Sequence, residues 1–297
     1  MDKLKISEQR IIQTITTIIT NGYIVGFMKG KIFTGNSKFI CVPGLNCYSC
    51  PGAVGSCPIG SLQAVLGGRK HNFSFYVLGF IMLFGVLLGR FVCGFLCPFG
   101  FLQDLLHKIK LPKIKVPKRI DKPLRYLKYA ILLIPVILLP IFLTNQYGMA
   151  QPYFCQWICP AGTLEGGIPL LIKNEPLRET IGFLFNWKMG ILVLIIAVSI
   201  FIYRPFCKYI CPLGAFYSLF NKFSFYQMNV DKLKCNGCKT CEKQCKMNVK
   251  ITKDINSVEC IRCGECKKAC PKGAITSGVY LEGTVGVTKT NEHTFHQ

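Results

Sequence analysis

Two cysteine runs near the C-terminal end constrain this chain more than any other feature of its sequence. Residues 235–245 read C-x2-C-x2-C-x3-C, and residues 260–271 read C-x2-C-x2-C-x3-C-P. Cysteines at this regular spacing are typical metal ligands, which act as free thiolates rather than as disulfides. Zinc knuckles or disulfides would need a different pairing, and the two runs contain no histidine. Iron is therefore the first candidate metal.

The two runs also predict how two [4Fe-4S] clusters are shared. In bacterial two-cluster ferredoxins, three cysteines of a run bind one cluster and the fourth reaches the other. Ferredoxin set I is then Cys235, Cys238, Cys241 and Cys270, and ferredoxin set II is Cys245, Cys260, Cys263 and Cys266. Lys246 stands where proline usually follows Cys245, which affects the local turn and not the ligand. We expect a small α+β ferredoxin domain at 229–280 and a polar tail at 281–297.

The rest of the chain has the composition of a membrane protein. Hydrophobic residues make up 51% of the 297 positions and charged residues only 17%, which is unusual for a soluble domain of this size. Four apolar runs predict transmembrane helices at 11–28, 73–92, 126–146 and 183–203. No small-residue cleavage site follows the first run, which favours an uncleaved helix over a signal peptide. The expected fold is an α-helical membrane protein, with a four-transmembrane-helix bundle at 1–228.

The charge distribution predicts the orientation of this bundle. Residues 104–128 carry nine Lys or Arg residues and only two acidic ones. The positive-inside rule places this loop in the cytoplasm, with both termini and the ferredoxin domain, and residues 29–72 and 147–182 outside. The formal net charge of +22 is explained by this placement and by anionic clusters, so no nucleic-acid partner is expected.

A second cysteine motif, C-P-x-G, recurs along the chain. It begins at Cys57, Cys97, Cys159, Cys211 and Cys270. Proline suits the first turn of a helix, and the amides that follow can face an anionic cluster. Three copies extend to C-x3-C-P through Cys93, Cys155 and Cys207. The repeats indicate two similar halves, related by a pseudo-twofold axis along the membrane normal.

The predicted topology divides the remaining ten cysteines between the two membrane faces. An inner set, Cys93, Cys97, Cys207 and Cys211, lies at the cytoplasmic edge and can hold a third [4Fe-4S] cluster. The outer cysteines are Cys41, Cys47, Cys50, Cys57, Cys155 and Cys159. Six thiols for four positions leave the ligand set of an outer cluster open. Buried apolar thiols are the alternative for both groups of cysteines. Disulfides or a zinc site are further alternatives for the outer cysteines.

The histidines give little support to other redox chemistry. They occur at positions 71, 107, 293 and 296, and none lies in the middle of a predicted span, which excludes a cytochrome b. His71 and His107 lie near opposite membrane faces and are the candidates for a proton acceptor in quinol oxidation. We expect both to be interfacial side chains and assign no catalytic residue.

With these motifs the chain resembles the NapH-type membrane polyferredoxins, the ferredoxin-type membrane subunits of quinol dehydrogenases. The resemblance rests on CVPGLNCYSCPGAVGSCPIG at 41–60, on the C-x3-C-P units and on the two C-terminal runs, and it covers nearly the whole chain. The chain is similar, more loosely, to the membrane cores of the NosR and CcoG families. The unit at Cys155 and Cys159 is a third C-x3-C-P and departs from the NapH pattern.

The resemblance implies electron transfer in the cytoplasmic membrane, between a cytoplasmic donor or the quinone pool and an extracytoplasmic acceptor. The expected partners are a cytoplasmic ferredoxin or flavoprotein, an extracytoplasmic reductase or flavin domain, and the lipid bilayer. The alternatives are a quinol dehydrogenase subunit in its own right, with a bound quinone, and a redox sensor or metalloprotein assembly factor. Clusters at opposite faces would be separated by about 30 Å, which is too far for one rapid electron-transfer step unless they sink below the interfaces.

Overall fold

The computed structural model describes residues 8–68, 75–114, 116–143, 150–179 and 181–279. The first helices are α1 (Glu8–Thr20), α2 (Ile24–Lys29), α3 (Pro58–Leu66), α4 (Phe75–Leu88), α5 (Phe91–Phe95) and α6 (Pro98–Leu106). They are followed by α7 (Lys118–Ile131), α8 (Leu139–Phe142), α9 (Tyr153–Trp157), α10 (Ile168–Lys173), α11 (Glu175–Glu179), α12 (Phe183–Phe201), α13 (Pro205–Tyr209) and α14 (Pro212–Phe220). The C-terminal elements are β1 (Tyr226–Val230), α15 (Thr240–Gln244), α16 (Glu265–Lys268) and β2 (Ile275–Val279).

Within the described residues, two stretches are long and apolar enough to cross a membrane. They are Arg119–Phe142, in which a π-helical segment at Leu132–Leu138 joins α7 to α8, and Phe183–Phe201, which is α12. Only 28% and 17% of the apolar windows in these helices is buried inside the protein, so most of their surface is free to face lipid. They correspond to the third and fourth predicted spans.

The first predicted span is not one continuous helix, so a transmembrane helix at 11–28 is not confirmed. The backbone leaves the helix at residues 21–23, between α1 and α2. The break lets the cysteine loop approach, because Tyr23 N donates to Gly52 O at 3.1 Å and Val54 N donates to Thr20 O at 3.0 Å. With 13 residues, α1 is about 20 Å long, which is short of a full span.

The α1 helix nevertheless has its apolar side outward. Its buried side is polar, since Gln13 Nε2 donates to Gly94 O at 2.9 Å and to Asp104 Oδ2 at 3.0 Å. Ile15 and Ile18 are exposed on the other side. A surface helix of a soluble protein has its apolar side buried and its polar side exposed, which is the reverse of the arrangement in α1. The exposed apolar side of α1 suits a lipid environment.

The second predicted span gives the shorter apolar helix α4, with 14 residues, and residues 73–74 of that prediction lie outside the described part of the chain. A bundle of four full-length transmembrane helices is therefore not confirmed. The described part of the fold contains two long apolar helices, Arg119–Phe142 and Phe183–Phe201. It also contains the shorter helices α1 and α4 and the loops that carry the cysteines.

The C-P-x-G units begin helices as predicted. Cys57, Cys97 and Cys211 directly precede α3, α6 and α14, each of which starts with proline. After Cys159 the helical path instead contains a π-helical segment at Gly162–Gly167 and continues into α10. The cysteines are thus fixed at helix starts.

The C-terminal domain is a small α+β unit. Strands β1 and β2 pair antiparallel, with Tyr226 opposite Val279 and Val230 opposite Ile275. The cysteine runs and the short helices α15 and α16 lie between the two strands in sequence. Strand β1 begins three residues before the boundary that we predict at residue 229.

Buried cations join this domain to the membrane part. Arg90 Nη1 donates to Glu259 Oε2 and to Val258 O, both at 2.8 Å. Lys128 Nζ contacts the other oxygen of the same carboxylate, Glu259 Oε1, at 2.6 Å. Here the ferredoxin domain supplies the donor, since its Arg262 Nη1 donates to Leu88 O in α4 at 2.8 Å. The two parts therefore form one packed unit.

Candidate metal centres

Each ferredoxin set surrounds its own cavity. One cavity is lined by Cys235, Cys238, Cys241 and Cys270, and the other by Cys245, Cys260, Cys263 and Cys266. The fourth cysteine of each run therefore lies with the other run, which is the arrangement that the spacing predicts. Gly264, with φ of 78°, provides the left-handed turn that brings Cys263 and Cys266 to the same cavity.

The two ferredoxin sets differ in exposure. Cys238 lies at the protein surface, whereas Cys266 is buried. Burial raises the pKa of Cys260 to about 12, and the neighbouring Cys263 contributes. Burial likewise raises the pKa of Cys266 to about 12, with Cys260 and Cys263 contributing. Four thiolates are thus costly to gather in ferredoxin set II without a bound cation, and a cationic iron core would supply the compensating charge.

The inner set is assembled from both halves of the chain. Cys93 lies in α5 and Cys207 in α13, while Cys97 and Cys211 precede the helices that follow. All four side chains are buried. Every pair within the inner set is close enough for the two thiols to interact electrostatically.

Two arginines connect the halves around the inner set. Arg90 and Arg204 each stand three residues before the first cysteine of their C-x3-C-P unit. Arg90 Nη2 donates to Cys207 O at 3.2 Å, and Arg204 Nη1 donates to Cys93 O. These arginines were not identified from the sequence, although they share a position in an R-x2-C-x3-C-P pattern that could have indicated them.

The outer cysteines separate into four and two. Cys47, Cys57, Cys155 and Cys159, hereafter the outer set, line a cavity of about 590 Å³. Every pair within the outer set is close enough for two thiolates to repel each other, as in the inner set. Cys41 and Cys50 do not line this cavity, and Cys50 Sγ contacts Asn21 Oδ1 at 3.6 Å instead. The spacing in the sequence could not make this division.

The segments that carry the outer set, the inner set and ferredoxin set II contact one another. A β-carbon on Gly44, in the outer loop, would lie 2.9 Å from Cys97 Cα of the inner set. Tyr217 Oη donates to Pro43 O at 2.9 Å in the same contact region. On the other side, a β-carbon on Gly94 would lie 2.4 Å from Ile261 O of the ferredoxin domain. The outer and inner loops thus meet inside the protein, and the distance of a full bilayer does not separate them.

Side-chain amides reach the sulfur atoms of two cysteines. Gln103 Nε2 lies 3.1 Å from Cys207 Sγ, and Gln63 Nε2 lies 3.2 Å from Cys155 Sγ. Glu165 Oε2 accepts a hydrogen bond from Cys47 N at 2.7 Å. None of these residues was identified from the sequence.

The remaining predicted candidates are histidines. The ring of His107 packs edge-to-face on Tyr203, with 5.3 Å between centroids. His71, His293 and His296 lie outside the described residues. Lys188 lines the outer cavity and donates to Cys155 O at 3.1 Å.

The donor sets suit polynuclear clusters. Within the described ranges, no three Cys, His, Asp or Glu side chains come close enough to hold a single metal ion. In a cubane each thiolate binds a different iron, so the four sulfurs stand further apart than those around one zinc ion. Sets of four thiols, with amide N–H groups directed at sulfur, meet the requirements of a [4Fe-4S] cluster.

Family comparisons agree with this chemistry. A 4Fe-4S binding domain model matches residues 73–119, 130–173 and 187–227, and each of these stretches contains one C-x3-C-P unit. The third unit, at Cys155 and Cys159, is therefore part of the same repeat. A second 4Fe-4S binding domain model matches residues 254–276 of the ferredoxin domain. No solved structure matches the chain.

Several characterised and uncharacterised proteins are similar over about two thirds of the chain. An uncharacterised protein of Methanocaldococcus jannaschii, MJ0750, is 35% identical over 66% of this chain and 75% of its own length. The regulatory protein NosR of Stutzerimonas stutzeri is 30% identical over 61% of this chain, but over only 24% of its own length. A proposed electron transport protein of Escherichia coli, YccM, is 27% identical over 68% of this chain and 54% of its own.

Proposed function

This chain belongs to the family of ferredoxin-type membrane proteins that includes NapH, NosR and YccM, and from that premise we propose that it conducts electrons through four [4Fe-4S] clusters. Iron-sulfur binding and a role in electron transfer follow from the family and its 4Fe-4S binding domains. The number of clusters, their ligands and the direction of flow are our proposal. The observation that carries it is the contact between the segments that hold the outer set, the inner set and ferredoxin set II.

The inner set and the outer set each supply the four ligands of one membrane centre in this proposal. The inner set holds one cubane, because its four buried thiols interact pairwise and come from identical C-x3-C-P units in the two halves. The outer set holds another, because the same pairwise interaction recurs around the outer cavity. Cys41 and Cys50 are buried thiols that bind no iron in this scheme. A closed shell of four thiolates is complete in each case.

The proposed electron path begins at the ferredoxin domain. Ferredoxin set I is the most accessible of the four, since Cys238 is exposed. Exposed lysines lie near it in sequence or along its cavity, at positions 232, 234, 239 and 272. These charges fit an acidic one-electron donor such as a ferredoxin or flavoprotein. Electrons then pass through ferredoxin set II to the inner set across the Gly94 contact, and on to the outer set across the Gly44 contact.

We place the ferredoxin domain on the cytoplasmic side of the cytoplasmic membrane and the outer set towards the opposite side. The lysine-rich loop at 104–128 supports this orientation by the positive-inside rule. The acceptor is then an extracytoplasmic reductase or flavin domain. The protein needs no catalytic group for this activity, because each step transfers one electron and moves no atom.

Iron counting with redox-titrated EPR tests the proposal. The full chain should contain about 16 irons and 16 acid-labile sulfides, four of each for every cubane. Cys97→Ser and Cys211→Ser should each remove the same EPR signal and leave the ferredoxin signals intact. Different signal losses in the two variants would contradict a shared inner centre, and about eight irons in the full chain would leave only the ferredoxin clusters.

A redox-sensing role is the second candidate, because the similar NosR protein is named as a regulatory protein. The two functions separate in a reconstituted assay. A conductor transfers electrons from a reduced donor on one side of a vesicle to an acceptor on the other. A sensor changes the redox state of its clusters but gives no transfer across the membrane.

A further inference from the structure

Two glutamines occupy equivalent positions in the first half of the chain. Gln63 and Gln103 are each the sixth residue after the cysteine of a C-P-x-G unit, in CPIGSLQ and CPFGFLQ. This places them on α3 and α6, where their side chains are 1% exposed. Both reach across to the first cysteine of a C-x3-C-P unit in the second half.

The hydrogen bonds of each amide fix which end faces the sulfur. Gln103 Oε1 accepts from Phe206 N at 3.2 Å, and Gln63 Oε1 accepts from Phe154 N at 3.0 Å. A backbone N–H can bond only to the oxygen, so the nitrogen must point the other way.

Each amide nitrogen has two N–H groups and two acceptors. One acceptor is the carbonyl four residues earlier, at 3.4 Å for Gln103 and 3.3 Å for Gln63. The other is sulfur, Cys207 Sγ at 3.1 Å and Cys155 Sγ at 3.2 Å. Every donor and acceptor of both side chains is therefore used, and one donor of each is directed at a sulfur.

The second half fills the same position differently. Six residues after Cys159 stands Glu165, which accepts from Cys47 N at 2.7 Å. Six residues after Cys211 stands Tyr217, whose hydroxyl donates to Pro43 O at 2.9 Å. These two side chains bond to the backbone of the first-half loop. Of the four side chains at this position, the two glutamines are the ones that donate to sulfur.

We propose that Gln103 and Gln63 are positioning residues that raise the reduction potentials of the inner and outer centres by donating one N–H each to Cys207 Sγ and Cys155 Sγ. This inference rests on the cluster assignments of the proposed function. On reduction a cubane takes one electron from its donor and gains one negative charge, while no proton or bond is transferred. An N–H directed at a ligand sulfur stabilises the more negative, reduced form, and hydrogen bonds of this kind set cluster potentials.

Gln103→Leu tests the inner centre. Leucine is neutral and of similar size but has no N–H donor. The ratio of oxidised to reduced inner cluster at a fixed potential should rise about tenfold, which for one electron is a fall of about 59 mV in the midpoint. The inner signal is identified as the one that Cys97→Ser removes. An unchanged midpoint of the inner signal in Gln103→Leu would overturn the inference.

The two glutamines serve as matched controls for each other. Gln63→Leu should lower the midpoint potential of the outer centre and leave that of the inner centre unchanged. Gln103→Leu should lower the midpoint potential of the inner centre and leave that of the outer centre unchanged. A purely structural role would instead lower the iron content or shift both centres together, which counts against the proposal.

A measurement on the unchanged protein covers the case in which a variant does not assemble. Glutamine labelled with ¹⁵N in the side chain should give a ¹⁵N hyperfine coupling to the reduced inner centre in pulsed EPR, and absence of that coupling overturns the inference. If Cys97→Ser removes no signal, the proposed function fails. If the inner signal exists but shows neither the coupling nor the shift, only the role of Gln103 fails.

Discussion

Replacing Glu259 with glutamine should loosen the ferredoxin domain from the membrane part. The carboxylate of Glu259 contacts Arg90 Nη1 at 2.8 Å and Lys128 Nζ at 2.6 Å. The two cationic side chains are 0% exposed and that of Glu259 is 4% exposed. Burial alone would raise the pKa of Glu259, but Arg90 and Lys128 outweigh it and lower the pKa, so the group is charged at neutral pH.

The size of the effect follows from the charges. Each ion pair contributes an attraction of about 6 kcal/mol at an effective dielectric constant of about 20, before the cost of desolvation. Glu259→Gln removes the one anion and leaves two buried cations side by side. Losing the partner of a buried charge costs about 3–5 kcal/mol, which corresponds to a fall in Tm of roughly 10 °C.

Thermal unfolding in detergent, at equal iron content, measures this change. Asp254→Asn is the matched control, because Asp254 pairs with Lys222 at 4.0 Å with both side chains about half exposed, and such a pair is worth less than about 1 kcal/mol. Lys128→Met should cost less than Glu259→Gln, since Arg90 still neutralises the carboxylate. The reasoning is refuted if Glu259→Gln is no more destabilising than Asp254→Asn, or if Lys128→Met is the worse of the two buried changes.

Three further outcomes are expected. Gly94→Ala should reduce the thermal stability of the full chain, since the new β-carbon would lie 2.4 Å from Ile261 O. The control Gly79→Ala should not reduce it, because no atom lies within 4 Å of the added β-carbon. Equal Tm values for the two variants would contradict the close contact at Gly94. Cys155→Ser should remove the outer EPR signal and about four irons, whereas Cys41→Ser should retain that signal and the full iron content. Loss of the signal in Cys41→Ser but not in Cys155→Ser would mean that Cys41 and not Cys155 is a ligand. Alkaline phosphatase fused to the C-terminus should be inactive, and an active fusion would reverse the topology.

Local spacing predicted much of the site. The ferredoxin runs and the C-x3-C-P units depend on positions a few residues apart, and such spacing is encoded directly in the sequence. The helix starts after Cys57, Cys97 and Cys211 were predictable for the same reason, because proline favours the first turn. The grouping of the inner set followed from the repeat and from the predicted topology together.

Contacts between the two halves could not be predicted in this way. The choice of Cys47, Cys57, Cys155 and Cys159 among six outer cysteines depends on how the outer loop folds back, which no local pattern encodes. The same is true of Gln63, Gln103 and Arg204, whose partners lie about a hundred residues away. The helix break at 21–23 was missed because an uncharged run was taken as one span, although its inward face is polar.

The contact of Gly44 with Cys97 has a consequence for the response of the protein to membrane voltage. A charge that crosses the whole bilayer changes its energy by about 2.3 kcal/mol for every 100 mV. An electron that moves between touching loops inside the protein crosses only a small part of that field. In the proposed path, the transfer from the inner to the outer set should therefore run at nearly the same rate in energised and de-energised membranes.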